Sequence, residues 1–261
     1  GRQSIEGGLA MRTAASLAIA ALMLAACNNE AAETAAPPPA EAAMPESTPE
    51  TPTMNTLTGE EQAAGWKLLF NGTDLAGWRG YKKDKLPSEW VVEDGALVRK
   101  GGGDIITKDQ FESFELTIDW KISEGGNSGI MLKVQETDKP PYYTGPEAQI
   151  QDNVKGKDPQ KAGWMYQLYP ATVDTTKPAG QWNTFVLKCE KTPAGTYKCV
   201  HTMNGTKYCE YEIGSADWDA KVAKSKFAKW EGFGKAAKGH LCLQDHGNEV
   251  AFRNIKIRTL E

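Results

Sequence analysis

The 261-residue chain carries 30 Lys and Arg against 34 Asp and Glu, a formal charge of −4. That balance, with no basic stripe interleaved with aromatics, argues against a nucleic-acid partner. A Gly-rich phosphate loop, a dinucleotide fingerprint and an internal repeat are also missing, which removes the nucleotide-cofactor and solenoid classes.

Arg12, just after Met11, precedes an apolar run from Ala14 to Ala26. The run is too short to span a bilayer but has the length of a signal-peptide core. It ends in Leu24-Ala25-Ala26-Cys27, which resembles a bacterial lipobox, with Cys27 as the lipidated residue. The expectation is an exported protein of a Gram-negative cell envelope, facing the periplasm or the outside and touching membrane only through that lipid. Residues upstream of Met11 are assigned no function. From Asn28 to about Leu57 the chain is Ala, Pro, Glu and Thr with few large apolar side chains. Such a stretch buries too little surface to offset its ordering entropy and reads as a tether. The reading therefore divides the chain into 1–27, a 28–57 tether and a 58–261 domain, about 200 residues and enough for one sizeable core.

In the domain, turn signals recur every ten residues or so between runs of period-two alternation, the rhythm of an all-β sandwich. Phe114 to Ile122 alternates Leu116, Ile118, Trp120 and Ile122 with Glu115, Thr117, Asp119 and Lys121. Gly125 to Gly129 breaks the chain before a strand from Ile130 to Val134. Trp182 to Cys189, Thr196 to Met203 and Thr206 to Glu212 form successive hairpins, the second turning at Asn204-Gly205. Asp217 to Trp230 has helical spacing (Trp218, Val222, Lys226, Trp230) and predicts one short surface helix. His240 to Leu243 and Val250 to Arg258 close the domain, the last with an ambiguous burial pattern. Trp66, Trp78, Trp90, Trp120 and Trp182 are expected in the core.

Setting Cys27 aside, four cysteines remain, an even number suited to an oxidising compartment. The hairpin places Cys189 opposite Cys199, which leaves Cys209 to pair with Cys242. Four reduced, buried thiols are the alternative. The spacing resembles no zinc site, and no acidic calcium loop is present, so no metal and no cofactor is expected.

Motifs run in order from Gly65 onward. The opening Gly65-Trp66-Lys67-Leu68-Leu69-Phe70-Asn71-Gly72 leads to Glu93-Asp94-Gly95, the Gly-rich Gly101 to Asp104, and Gly126-Asn127-Ser128-Gly129-Ile130. Thr144 to Asn153, Leu243-Gln244-Asp245-His246-Gly247 and Phe252-Arg253-Asn254-Ile255 follow. Each is weak alone, but the ordered set resembles the 3-keto-disaccharide hydrolase family. The resemblance implies a concanavalin A-like jelly roll of two antiparallel sheets with at most one or two short helices. It also implies an enzyme cleaving the glycosidic bond of 3-keto-glycosides. This chain departs from the family pattern at Lys133, where an arginine is common, and at Thr202, where a tryptophan is.

Side-chain chemistry suggests how such cleavage works. Glu147, Gln149 and Gln151 share one face of a strand, because strand side chains alternate. Conventional glycosidases need two carboxylates, and two of these three are amides. A 3-keto sugar needs less, since the carbonyl acidifies the C2 proton and one base with an acid and enolate donors suffices. The candidates are Glu147 or His246 as base, with Asp245 orienting His246 or sharing the proton work. Asn127, Gln149 and Gln151 are candidate hydroxyl or enolate donors, and Lys133 a source of positive charge. Trp164 and Tyr166, with Tyr169, form either a sugar-stacking wall or a satellite core. The competing reading of Gln244 to Gly247 is a turn in which Asp245 caps backbone amides. His201 and His240 read as structural. A non-catalytic carbohydrate-binding protein and a loop-displaying interaction module are the alternative functions, because fold does not settle function.

Overall fold

The computed structural model describes residues 53–261; the apolar run, Cys27 and nearly all of the tether lie outside the described residues. The described chain runs α1 (Gly59–Ala63), β1 (Lys67–Leu68), β2 (Trp78–Gly80), β3 (Trp90–Glu93), β4 (Ala96–Arg99), β5 (Ile105–Thr107), β6 (Phe114–Ile122), β7 (Asn127–Val134) and β8 (Glu147–Gln151). It continues with β9 (Asn183–Lys191), β10 (Tyr197–Met203), β11 (Thr206–Ile213), α2 (Ala216–Ala223), β12 (His240–Leu243) and β13 (Val250–Thr259). Two antiparallel sheets form a sandwich. One has the order β11-β10-β9-β6-β13-β4-β3, with the short β1 also paired to β13. The other has the order β2-β5-β12-β7-β8.

The alternation read in β6 is what builds the core: Leu116, Ile118, Trp120 and Ile122 are buried between the sheets with Phe185, Leu187 and Phe252. The facing sheet contributes Ile105, Ile130, Leu132, Ala148, Ile150, Leu241 and Leu243. Each Leu, Ile or Phe among them contributes about 1.5–3 kcal/mol on burial. Trp78, Trp90 and Trp120 belong to this core. Trp66 and Trp182 do not: they are half-buried on the outside, beneath the guanidinium groups of Arg258 and Arg253.

The ambiguity in β13 has a local cause. The β13–β6 register shifts between Arg253 and Lys256, and Asn254 has φ +50°. One extra residue switches the parity. Phe252 therefore faces the core before the bulge, and Ile255 and Ile257 face it after. Asn254 is held there by Asn55, whose amide N–H donates to Asn254 Oδ1, while Asn254 N–H returns a bond to Asn55 Oδ1.

The expected helix is shorter than its spacing implied. Ser215 caps α2 by accepting from Trp218 N–H, and α2 stops at Ala223. Ser225 then accepts from Phe227 N–H and starts a separate 3-10 turn, Lys226–Lys229. A second 3-10 turn, Pro141–Tyr143, precedes β8.

Cys189 and Cys199 are cross-strand partners of β9 and β10 and form a disulfide. The expected Cys209–Cys242 bond does not form; both are free and buried. Cys209 lies in the core between the sheets, whereas Cys242 points away from it, into a small cluster with Ile106, Met131 and Val134. His201 is sealed in the core, donating from Nδ1 to Gly163 O, and burial lowers its pKa to about 4. His240 similarly donates from Nδ1 to Thr107 O.

Candidate active site

The outer face of the five-stranded sheet carries the cleft. Because Ala148 and Ile150 of β8 point into the core, Glu147, Gln149 and Gln151 point the other way. Next to them β7 has Gly129, opposite Gln149 in the register. A side chain at Gly129 would overlap the Glu147 carboxyl group, so glycine here leaves the space that the carboxyl group occupies. The continuation of β12 closes the other side. Gln244 N–H donates to Gly129 O, and Ser128 Oγ donates to Gln244 O. Beyond β8, the segment 163–166 adds backbone pairing: Gln149 N–H donates to Trp164 O and Tyr166 N–H to Glu147 O.

These elements enclose a cleft of about 380 Å3. Its floor and polar side are Asn127, Glu147, Gln149, Gln244 and His246. Its far side is Tyr166, Asp158 and Lys226, and an aromatic wall of Tyr142, Tyr143, Phe227, Trp230 and Phe233 completes it. Glu147 is 8% exposed. Desolvation raises its pKa to about 8, nearby Asp104 and Asp158 push the same way, and Lys226 opposes them. No hydrogen bond from a described residue contributes to that shift. Gln149, 1% exposed, and Gln244 each bury a side-chain oxygen that has no partner among the described residues, as does Gln151 behind them. Buried polar atoms are rarely left so unless a ligand or water is to meet them.

Several expected site residues take other positions. Lys133 is the clearest correction. By parity it would share a face with Gly129 and Met131, but its φ is +56° and the β12–β7 register shifts beside it. The bulge puts Val134 on that face instead, packed with Met131. Lys133 is fully buried away from the cleft, its ammonium donating to Glu112 O and Ala237 O above the Tyr197 ring. Burial lowers its pKa to about 8.

Asp245 does not line the cleft. Its carboxylate accepts from Gly103 and Gly247 N–H and lies 2.7 Å from Arg99 Nε. That last contact is an ion pair without the alignment of a hydrogen bond. These partners hold its pKa low despite partial burial. It is thus the capping residue of the turn at Gly247, whose φ is +91°, and positions His246 through the backbone. Gln151 likewise serves the scaffold, its amide donating to Asp158 O and Gln160 O. The aromatic segment divides: Tyr166 lines the cleft, Trp164 packs against the core, and Tyr169 stacks on Tyr211 and Trp218.

Sequence reasoning missed other members. Asp104, at the end of the Gly101 to Asp104 stretch, accepts from Asp245 N–H. Its pKa is raised to about 6, chiefly by burial; the hydrogen bond from Asp245 N–H opposes the rise, the Asp245 carboxylate adds to it, and His246 opposes it. Asp158 accepts from Tyr166 Oη at 2.9 Å, and Lys226 Nζ lies 4.4 Å above the Tyr166 ring. No spacing marks Asp158 and Lys226 as cleft residues, because a loop and a 3-10 turn carry them there, while Asp104 does not line the cleft and acts on Glu147 through its charge.

Comparison with known proteins agrees with this architecture. Residues 65–258 match the family described as 3-keto-alpha-glucoside-1,2-lyase-like domain. The chain is 35% identical over 245 residues to the 3-keto-disaccharide hydrolase of Bacteroides thetaiotaomicron, covering 80% of this chain and 83% of the relative. A crystal structure from Parabacteroides distasonis, provisionally called a glycosyl hydrolase, superposes with a TM-score of 0.73 at 36% identity, over 80% of this chain and all of the other. A second from the same organism gives 0.59 at 30% identity, over 75% of this chain and 99% of the other. With the match running from the first strands to the last, the chain belongs to the 3-keto-alpha-glucoside-1,2-lyase-like family.

Proposed function

We propose that the cleft cleaves the glycosidic bond of 3-keto-glycosides by removing the C2 proton, with Glu147 as base and His246 as acid. The observation that carries this is a buried carboxyl group of raised basicity, without a hydrogen-bond partner among the described residues, on the floor of a cleft. A general base works best when its pKa lies near the operating pH. The names of the relatives supply the substrate class.

In the forward step the Glu147 carboxylate takes the C2 proton, and the C–H pair forms an enolate whose charge rests on the C3 oxygen. The enolate then re-forms its carbonyl, makes a C1–C2 double bond and breaks the bond from C1 to the leaving oxygen. His246, at the rim, gives that oxygen a proton. Water then attacks C1 as His246 takes its proton back from it, and Glu147 returns the first proton to C2, which completes hydrolysis and restores both groups; release before addition makes the enzyme a lyase. The amide of Asn127 and the ammonium of Lys226 are the available donors for the enolate oxygen, the role expected of Lys133. The unpartnered oxygens of Gln149 and Gln244 accept from sugar hydroxyls. Double displacement is disfavoured: Gln149 and Gln151 are amides, and both Asp158 oxygens are engaged, by Gln160 N–H and Tyr166 Oη.

Incubation with a 3-keto-glucoside and its unoxidised parent tests the proposal. Free sugar or the unsaturated ketone should appear only from the oxidised compound, with solvent deuterium entering C2. Exchange should vanish in Glu147→Gln and persist in His246→Ala. Parent-level turnover by the Glu147→Gln/His246→Ala double variant would end the proposal, and binding without turnover would favour a lectin.

A further inference from the structure

The aromatic wall is not used by the chemistry just described. It is built from two separate segments, the Pro141–Tyr143 turn and the stretch from Lys226 to Phe233. Gly234 N–H donating to Thr144 O ties them together at 2.9 Å. Tyr143 stacks on Trp230 at 4.1 Å between centroids with planes 12° apart, and Tyr142 leans on the same indole at 5.8 Å. Phe227 and Phe233 stack behind them at 4.0 Å, and Phe233 rests on the buried Trp218. The platform is therefore braced from below, while Tyr142 at its edge keeps 37% of its surface exposed. A wall of this kind is expensive to leave in water unless something covers it.

The polar side of the same cleft already accounts for one sugar. Glu147 has to reach C2, and the free oxygens of Gln149 and Gln244 take hydroxyl donors. The bond to be broken leaves C1, one carbon from C2, so the departing group extends beyond the ring held at the floor. A volume of about 380 Å3 lies in the range of sites that hold a drug-sized ligand rather than a single small ring. We infer that Tyr142, Tyr143 and Trp230 form a leaving-group subsite that selects a ring with an apolar face, either a second pyranose or an aryl group, over a small alkyl group. This rests on the proposed function and adds to it the class of the departing group.

The test compares kcat/KM for a 3-keto-disaccharide, phenyl 3-keto-glucoside and methyl 3-keto-glucoside in the parent protein, Tyr142→Ala and Trp230→Ala. Taking each ring substrate's ratio to the methyl glucoside removes differences in intrinsic reactivity. Loss of one stacking partner should lower at least one ratio about tenfold, mainly through KM. A larger fall for the disaccharide identifies a sugar as the departing ring, and a larger fall for the phenyl compound identifies an aryl group. If Trp230→Ala does not fold, the half-exposed Tyr142 carries the comparison alone. Ratios within twofold of the parent in every folded variant overturn the subsite while leaving the cleavage proposal standing. No turnover of any keto substrate by the parent protein defeats the cleavage proposal and the subsite with it.

Discussion

Gly129 on β7 leaves open the volume that the carboxyl group of Glu147 fills from β8: a Cβ at Gly129 would overlap Glu147 Oε1 and crowd Cδ and Cγ. Gly129→Ala should therefore displace the proposed base while the strand pairing survives. Displacement of a reacting group by an ångström costs on the order of 100-fold in rate, and a fall of that size is expected. In Gly129→Ala/Glu147→Ala the overlap is gone, so the melting temperature should recover toward that of Glu147→Ala with activity still absent. Thermal melts and turnover of a 3-keto-glucoside on the three variants check this. Retained activity in Gly129→Ala would show that the carboxyl group need not lie where it does.

Glu147 also makes a prediction about pH. Its folded pKa, about 8, is raised above the ordinary carboxylate value of 4.5 by desolvation. Between those values the folded protein holds a proton that the unfolded chain releases, so its contribution to stability falls as pH rises and is lowest above pH 8. Glu147→Gln removes that dependence. The variant should match the parent's stability below about pH 4.5, apart from a pH-independent offset, and gain steadily on it up to about pH 8. Urea unfolding at pH 4.5, 6.5 and 8.5 measures the difference. In parallel, the limb of the parent's kcat/KM profile that belongs to the base should rise with pH up to about 8, since the base acts as the carboxylate, and the His246 acid should give the profile a falling limb above it. A difference in stability that does not change with pH would mean that Glu147 titrates normally and has no special basicity to offer.

Much of the sandwich is legible in the sequence, and the failures have a common origin. Alternation in β6 and the Asn204-Gly205 turn are local signals that tertiary contacts left intact. The disulfide between Cys189 and Cys199 followed from hairpin register. Parity failed where one residue was added: at Asn254, where the last strand could not be read, and at Lys133, which looked like a cleft residue and is buried elsewhere. A bulge is a local backbone choice with little trace in side-chain chemistry, although an asparagine, as at Asn254, tolerates positive φ better than most. For the site, Glu147 and Gln149 were readable because strand parity was enough. Asp158, Lys226, Tyr143 and Trp230 were not: a loop and 3-10 turns bring them over the sheet, and the helical spacing that includes Lys226 and Trp230 pointed to a surface helix, not to a cleft wall. The pairing of Cys209 with Cys242 rested on counting, which carries no information about which face a strand residue takes.

Asp245 and His246 are adjacent in sequence and should respond oppositely to substitution. Asp245 joins the Gly103 loop, Gly247 and Arg99. Asp245→Ala leaves Arg99, whose side chain is 14% exposed, without its partner. Removing one member of such a pair is more costly than the pair was worth, and about 2–4 kcal/mol of stability should be lost. His246 is exposed at the rim. His246→Ala should change stability by less than about 0.5 kcal/mol yet lower kcat about 100-fold or more, as expected for a proton donor. Denaturant midpoints and steady-state kinetics on both variants separate a residue that holds the turn from one that acts. Equal losses of stability would place His246 in the scaffold.

Lys226 carries the last expectation. Its ammonium is held over Tyr166, whose hydroxyl is itself held by Asp158, and its charge favours the ionised form of Glu147. Two effects follow from Lys226→Met. Without the cation Glu147 ionises less readily, so the rise of kcat/KM with pH should move to higher pH. Without a positive group near the developing enolate, kcat at the optimum pH should fall by about 100- to 1000-fold, the range found when a donor to a developing oxyanion is removed. Lys226→Arg keeps the charge and should leave the pH midpoint near that of the parent while restoring part of the rate. A lysine that served only to cover the Tyr166 ring would give a different pattern: the methionine, similar in length and able to pack there, would lose little activity. A pH–rate profile that is superimposable for the parent and Lys226→Met would remove this cation from the mechanism and leave Asn127 as the only side chain offered to the enolate.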